Sequence, residues 1–316
     1  MTPSSSLATL RPDLAGSLQE FDLQANQMGY VGLRIAPVLE VAKQSGHFGR
    51  LPIEQLLKDR DTARTPGGGY SRGTGKFEPD TYACTENGTE EPVDDREAEM
   101  YADYFDAELV AAQRARNIVL SSHERRVIAA ALAIAGTAAG AVAWTTTASA
   151  TPIDDVRAAQ LAIFNRCGQK ATAMAMSWVR FQHLKDCAQI IDRVKSSGLV
   201  NVQRSEITPT MVAQALGLEE IILAGGVKNT ANENAAATIA SLWTDSKALV
   251  FTPPRTNDIR EPAFMRTIHW AADGSSIGAA IETYRDESVR SDVVRARMDT
   301  HEKIMFTEAA QTITGI

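Results

Sequence analysis

Apolar positions recur at spacings of three and four from Asp94 to Ile134, the longest run of helical periodicity in the chain. Tyr101, Phe105, Leu109, Ala112, Ala115 and Val119 share one face, while Asp103, Asp106, Arg114 and Arg116 take other directions around the axis. Asp94 stands at the N-cap, and Glu97 follows three residues later, where a capping box carries its acid. Ser121-Ser122-His123-Glu124 repeats that spacing and marks a kink or a restart, and Gly136 and Gly140 are the stop. Such a helix of about 40 residues would be a beam roughly 60 Å long, longer than a small domain is wide.

Before the beam the pattern is poorer. Ser4, Ser5 and Ser6 suggest a loose end, and Gly29-Tyr30-Val31-Gly32-Leu33-Arg34-Ile35-Ala36-Pro37 reads as an extended arm closed by a proline. Phe48 to Leu57 offers a short strand or turn. From Asp59 to Pro79 aliphatic residues almost vanish in favour of Arg, Gly, Thr and Lys, so this stretch has no apolar face to bury. Long loops of that kind within compact domains usually bind something. Tyr82-Ala83-Cys84 then makes a short strand that leads into the helix through an acidic turn containing Asn87-Gly88-Thr89.

After the beam, strands and helices alternate. Ala141 to Thr147 has strand character, and Thr151 with Pro152 at the first helical position opens a helix through Phe164. Ala171 to Met176 suits a buried strand, and Ser177 to Val194 a helix with Val179, Leu184, Ile190 and Ile191 toward the core. Thr208-Pro209 starts a further helix that Gly217 closes; Ile221 to Leu223 and Ala248 to Phe251 are strands, the latter central, and Asn229 to Asn234 is a polar loop. From Met265 onward only strands are predicted: Thr267 to Ala271, Ala279 to Tyr284, Val293 to Met298 and a last stretch from Lys303 to Ile316.

Composition narrows what this layout can be. The chain has 316 residues, 44% hydrophobic and 22% charged, an ordinary globular balance with room for one or two cores. A net charge of −7 argues against tight, sequence-independent nucleic-acid binding, which needs clustered cations. Cys84, Cys167 and Cys187 are too scattered for a disulfide framework or a zinc knuckle and read as buried thiols of a reducing compartment. Met1 to Leu10 lacks the pattern of an export signal. Val127 to Trp144 is uncharged, but its Ala, Gly and Thr favour tight packing over membrane insertion.

Candidate chemistry fails on spacing. Gly67-Gly68-Gly69 and Gly73-Thr74-Gly75-Lys76 suggest a phosphate loop, yet Tyr70 occupies the position of its first glycine and Phe77 follows the lysine where Ser or Thr is required. His123-Glu124 and His301-Glu302 begin like zinc-protease helices but lack the second histidine, and His47, His183 and His269 have no ligand-spaced companions. Asp94-Asp95 and Asp154-Asp155 sit at helix starts, where carboxylates complement the dipole. No nucleophile elbow or dinucleotide fingerprint is present, so neither catalysis nor a cofactor nor a metal is expected.

The order of arm, basic glycine-rich loop, acidic turn, long helix, α/β insert and closing strands resembles the major capsid proteins of tailed double-stranded DNA bacteriophages. The likeness is carried by Arg64-Thr65-Pro66-Gly67-Gly68, by Asp80-Thr81-Tyr82-Ala83-Cys84 with Glu90-Glu91-Pro92-Val93-Asp94-Asp95, and by Asp106-Ala107-Glu108 and Leu120-Ser121-Ser122-His123-Glu124 in the helix. Leu242-Trp243-Thr244-Asp245-Ser246-Lys247 and Asp292-Val293-Val294-Arg295-Ala296-Arg297 continue it toward the end.

The resemblance implies an α+β, Hong-Kong-97-like capsid fold shared with encapsulins and the floor of herpesvirus capsids. On that pattern 1–45 is an N-terminal arm, 46–93 an extended loop, 94–150 a peripheral domain with its spine helix, 151–264 an axial domain and 265–316 the closing sheet of the peripheral domain. It implies self-assembly into hexamers and pentamers that close an icosahedral shell around double-stranded DNA, in a virion assembled in the host cytoplasm. Expected partners are further copies of the chain, a separate scaffolding protein, since the short start leaves no room for a built-in one, a portal and a decoration protein. Arg64, Tyr70, Arg72, Lys76 and Phe77 are the candidates for contact between subunits, the cations laying their donors on an acidic neighbour. An encapsulin-like compartment would share the fold but hold protein cargo; a cytosolic α/β enzyme would need a catalytic constellation that the sequence lacks.

Overall fold

The computed structural model describes residues 9–10, 29–50, 52–59, 61–73, 78–102, 106–134, 136–138, 142–196, 206–232, 235–258, 261–272 and 274–316. In chain order the elements are β1 (Thr9–Leu10), α1 (Gly32–Ile35), β2 (Val38–Val41), β3 (Ser45–Arg50), α2 (Ile53–Leu56), β4 (Glu78–Ala83), β5 (Thr85–Asp94), α3 (Asp95–Tyr101), α4 (Ala107–Leu132) and β6 (Gly136–Ala138). There follow α5 (Pro152–Cys167), β7 (Ala173–Ser177), α6 (Trp178–Asp186), α7 (Ala188–Ser196), α8 (Pro209–Leu216) and β8 (Glu220–Ala224). The rest are β9 (Val227–Asn229), β10 (Ile239–Ser241), β11 (Lys247–Phe251), β12 (Met265–Trp270), β13 (Ala280–Asp286), β14 (Ser291–Ile304) and β15 (Ala310–Thr314).

Two sheets organise this α+β chain. The first runs β1-β13-β14-β12-β2, with β5 on the opposite edge of β14; the second runs β6-β15-β11-β7-β8. Two separate hairpins, β3–β4 and β9–β10, stand outside both. β11 is central, as its unbroken Ala248-Leu249-Val250-Phe251 predicts, and all four residues are buried. Helices α5 to α8 pack their apolar faces around this second sheet, contributing Val156, Ile163, Leu184, Ile190 and Val212 to one large core. A smaller core lies between the first sheet and α4, built from Val93, Ala112, Ala115, Val119, Ile281, Val294 and Met298. Further along, α4 gives Val127, Ile128 and Ala131 to the large core, so one helix runs from one core to the other.

That helix is shorter than its periodicity predicts. A second N-cap intervenes: the Asp106 carboxylate accepts from the Leu109 N–H at 3.2 Å and starts α4 afresh, leaving α3 as a separate short helix capped by Asp94. At 26 residues α4 is about 39 Å long. Tyr101 and Phe105 of the proposed apolar face lie outside the described side chains. Ser121 and Ser122 cause no break, because the helix is held on both flanks by buried packing. It ends at Leu132, before the glycines, and Gly136–Ala138 instead pairs with β15 in parallel. Among the described residues no helix is long and apolar enough to cross a membrane.

Other expectations also change. Gly32–Ile35 is a single helical turn, not an extended arm, because an acid on α4 holds its first N–H groups. The acidic turn is the ten-residue strand β5, paired with β14 from Thr85 opposite Thr300 to Asp94 opposite Ser291. Asn87-Gly88-Thr89 lies inside that strand, and Gly88 is required there: a Cβ would fall 2.9 Å from the Ala296 carbonyl oxygen. Residues 142–150 form turns where a strand was expected, and Asp155 in the next helix accepts from the Trp144 indole at 2.8 Å. An extended Cys187 splits Ser177–Val194 into α6 and α7, and Val179 faces solvent. The last strand, β15, joins the second sheet beside β11.

Local signals alone delimit α8. Thr208 Oγ1 accepts from the Met211 N–H, Pro209 holds the first helical position, and Gly217 ends the helix with φ 71°. Nothing lies within 4 Å of a Cβ built there, so the cost of Gly217→Ala is purely conformational. The substitution should destabilise the protein by about 1 kcal/mol, read as a shifted urea midpoint with an unchanged slope.

Candidate assembly surface

The basic segment is carried on a stem. β3 and β4 pair from Ser45 opposite Ala83 to Arg50 opposite Glu78, and alternate residues at the end of β14 hold this hairpin to the body. The Ala83 N–H donates to His301 Nδ1 at 3.1 Å; Lys303 Nζ donates to Asp80 Oδ1 at 2.6 Å and to the Thr81 carbonyl at 3.1 Å. Arg50 donates to the Met305 carbonyl at 3.1 Å and sits 5.1 Å over the Phe306 ring. Burial raises the Asp80 carboxyl, but the bonds from Lys303 and the Thr81 N–H outweigh it and leave Asp80 below its ordinary value. Ile53 of α2 is buried in the large core, which fixes the start of the excursion.

Past α2 the chain leaves the body. Residues 61–73 are exposed almost throughout, as an aliphatic-poor sequence dictates, and Tyr70 is 73% exposed. Arg64 and Tyr70 come together: Arg64 Nε donates to the Gly68 carbonyl at 2.7 Å, Nη1 donates to the Tyr70 hydroxyl at 3.3 Å, and the guanidinium lies 4.7 Å over the ring. Gly67, with φ 82°, makes the turn between them. Arg72 is exposed farther along the same segment, and Lys76 and Phe77 lie outside the described residues.

Next to the stem, a buried polar cluster joins α4 to the first sheet and to α1. Glu124, 2% exposed, accepts from the Val31 N–H at 2.9 Å through Oε1 and from the Gly32 N–H at 2.6 Å through Oε2. It therefore caps α1 from a distant helix. Arg126 grips Glu302 with two bonds of 3.0 Å and donates to Thr300 Oγ1 at 3.2 Å. His123 Nε2 lies 3.3 Å from Thr267 Oγ1 and 3.7 Å from Glu302. Burial raises Glu302, but Arg126, His123 and Thr300 together hold it below its ordinary value.

His123 gives a pH prediction. Burial drives its pKa down to about 4 from 6.5, with Arg126 assisting and Glu302 opposing. Between those values the unfolded chain binds a proton that the folded protein does not, so this residue's contribution to stability is complete above pH 6.5 and is lost as pH falls toward 4. His269 and His301 are displaced in the same direction, first by burial. From pH 7 to pH 5 the protein should lose on the order of 1–2 kcal/mol, and His123→Asn should flatten the slope of denaturation midpoint against pH.

Among the described residues no group of three or more His, Cys, Asp or Glu could hold a metal ion. All three cysteines are free and buried; burial, first, raises each thiol, to about 11 for Cys84 and Cys187. An open cleft of about 270 Å³ between Lys170, Thr252 and Arg255 has Glu261 as its acid. That carboxylate already accepts from the N–H groups of Arg255 and Thr256 and from Arg266, so it is committed to structure. Sequence reasoning missed Glu124, Arg126 and Glu302 as a unit, because their partners lie far away in the chain. Only the charged residues set into an otherwise apolar helix face hinted at them.

Long helix, two sheets and projecting stem together have the architecture of Hong-Kong-97-type shell proteins. No protein-family model and no curated protein sequence matches the chain. Among solved structures it is similar to a phage-related protein from Bordetella bronchiseptica RB50, with TM-score 0.69 and 20% identity over 98% of this chain and 97% of that one. The capsid of cyanophage P-SCSP1u gives TM-score 0.58 and 11% identity over 89% and 86%. The holo-SrpI encapsulin complex from Synechococcus elongatus PCC 7942 gives 0.53 and 12% over 90% and 86%. At these identities the shared property is the fold, and it extends over nearly the whole chain.

Proposed function

We propose that this chain is a major capsid protein of a tailed double-stranded DNA bacteriophage. Copies assemble into hexamers and pentamers and close an icosahedral shell around packaged DNA. The observation that carries this reading is a fold of the shell type over almost the full length, combined with a basic segment that its own subunit leaves uncovered. In this reading residues 1–45 are the arm, 46–93 the extended loop, 94–150 and 265–316 the peripheral domain and 151–264 the axial domain. The role is structural, not catalytic. A separate scaffolding protein, a portal and a decoration protein are the partners, and assembly takes place in the host cytoplasm. A chain of net charge −7 encloses DNA without gripping its sequence, since uniform phosphate binding would require clustered cations.

The encapsulin neighbour supports a second reading, a compartment around protein cargo. Negative-stain microscopy of particles from an infected or induced host, followed by nuclease digestion and analysis of what stays protected, separates the two. Protected DNA supports the capsid reading, a protected protein supports the compartment, and a dispersed monomer sinks both.

A further inference from the structure

The cleft at one end of the second sheet holds donors that meet no acceptor among the described residues. It opens where β11 leaves the sheet and β7 enters it, Phe251 lying opposite Ala173. Gln169 and Lys170 reach it directly after Gly168, whose left-handed backbone (φ 68°) stops α5, and Thr252 directly after the last residue of β11. Pro253 and Pro262 supply apolar sides. Its volume of about 270 Å³ suits a small molecule and leaves no room for a folded partner.

The polar groups of the lining divide into spent and unspent. Glu261 is spent: Oε1 accepts from the Arg255 N–H at 2.9 Å, and Oε2 from the Thr256 N–H at 2.9 Å and from the buried Arg266 guanidinium at 3.1 Å. Burial raises its carboxyl, but those N–H groups and Arg266 outweigh burial and keep it ionised. The donors are unspent. Lys170 is exposed and has no hydrogen-bond or ion-pair partner among the described residues. Arg255 gives Nη2 to Glu219 at 2.8 and 3.0 Å, while its Nε and Nη1 have no acceptor among the described residues. Thr252 Oγ1 is buried and unpaired. Beside it Thr172, 8% exposed, donates its N–H to the Phe251 carbonyl at 3.3 Å and has a second buried Oγ1 without a partner. A buried hydroxyl with nothing to bond costs stability that a valine of nearly the same shape would not.

Charge and shape choose the ligand. Lys170 and Arg255 are two cations against the one acid Glu261, so a single negative charge balances the lining, and a second would face the Glu261 carboxylate. Cationic donors favour an oxyanion, and the two prolines favour an apolar body behind it. We infer that this cleft binds a small organic carboxylate, its oxygens accepting from the Lys170 ammonium and the Thr252 hydroxyl and its apolar body lying between Pro253 and Pro262. Nothing in the site requires another copy of the chain, so it stands apart from the shell reading.

Benzoate is the probe, and benzamide, of nearly equal shape and no charge, is its control. Saturation-transfer NMR on the full-length protein at constant ionic strength should show benzoate binding saturably, with benzamide at least about tenfold weaker. Lys170→Gln should weaken benzoate by about tenfold. Thr252→Val should weaken it comparably while leaving the urea midpoint of the ligand-free protein unchanged or raised, a split that a purely structural hydroxyl would not give. Thr252→Ser, which keeps the hydroxyl, should bind as the parent does. Benzoate that fails to saturate, or that binds no better than benzamide, overturns the inference. Undiminished binding by either Lys170→Gln or Thr252→Val overturns it as well, and inorganic phosphate binding more tightly than benzoate overturns the ligand class. Lys170 is exposed, so its variant decides alone should Thr252→Val not fold. Particle formation is scored separately, and the shell reading survives any of these failures.

Discussion

Glu124→Ala is expected to destabilise the protein by about 3–5 kcal/mol, a large share of the stability of an ordinary domain. The carboxylate is 2% exposed and divides its two oxygens between the N–H groups of Val31 and Gly32. Alanine leaves both donors buried without acceptors, each costing about 1–3 kcal/mol, and opens a void as well. Glu124→Gln keeps the shape but can accept only one of the two N–H groups, turning an amide donor toward the other, so about half the loss should remain. Its pH behaviour separates charge from shape. Burial raises the Glu124 carboxyl above its ordinary value although both backbone N–H groups pull it down. The folded protein therefore holds this proton more tightly than the unfolded chain, and the residue's contribution shrinks as pH rises through that range. Glutamine should abolish this one component and leave the opposite trend from His123 in place. Guanidinium melts at several pH values measure both effects; an alanine variant with the parent's midpoint would refute the capping role.

Replacing residues 61–73 by a short Gly/Ser linker should abolish shell closure while leaving the subunit within about 0.5 kcal/mol of its parent. The two halves follow from different facts. The segment is exposed nearly throughout, its polar bonds are largely internal, and shortening a loop slightly lowers the entropy of closing it. Ile53, the buried anchor before it, is retained. In a shell each lost contact recurs at every symmetry-related interface, so a modest weakening per contact is multiplied. Thermal melts by circular dichroism should superimpose, and sedimentation should show small species in place of particles. Normal particles from the shortened chain would refute the role given to this segment.

What the sequence disclosed was local. Thr208, Pro209 and Gly217 announce α8 because capping and left-handed backbone depend on neighbouring residues alone, and the apolar run of β11 announces a central strand for the same reason. β5 was hidden: its Asn-Gly and glutamates mimic a turn, and only the partner strand about two hundred residues away makes it extended. The long helix was recognisable, but its restart at Asp106 was lost in a continuous apolar period. At the candidate surface the basic segment stood out through its lack of aliphatics. The edge strand and the Glu124 cap did not, because both are created by tertiary pairing. The order of elements along the chain carried more information about fold than any single motif.

β14 and β15 also determine when the molecule can become itself. β14 is the partner of β5, β12 and β13, and β15 lies between β6 and β11, so strands made early wait for residues after Ser291. The first sheet lacks its joining strand until residues 291–304 are present and the second until residues 310–314 are, and such distant pairing is slow to form. A truncation before Ser291 therefore leaves β5, β12 and β13 without the strand they share.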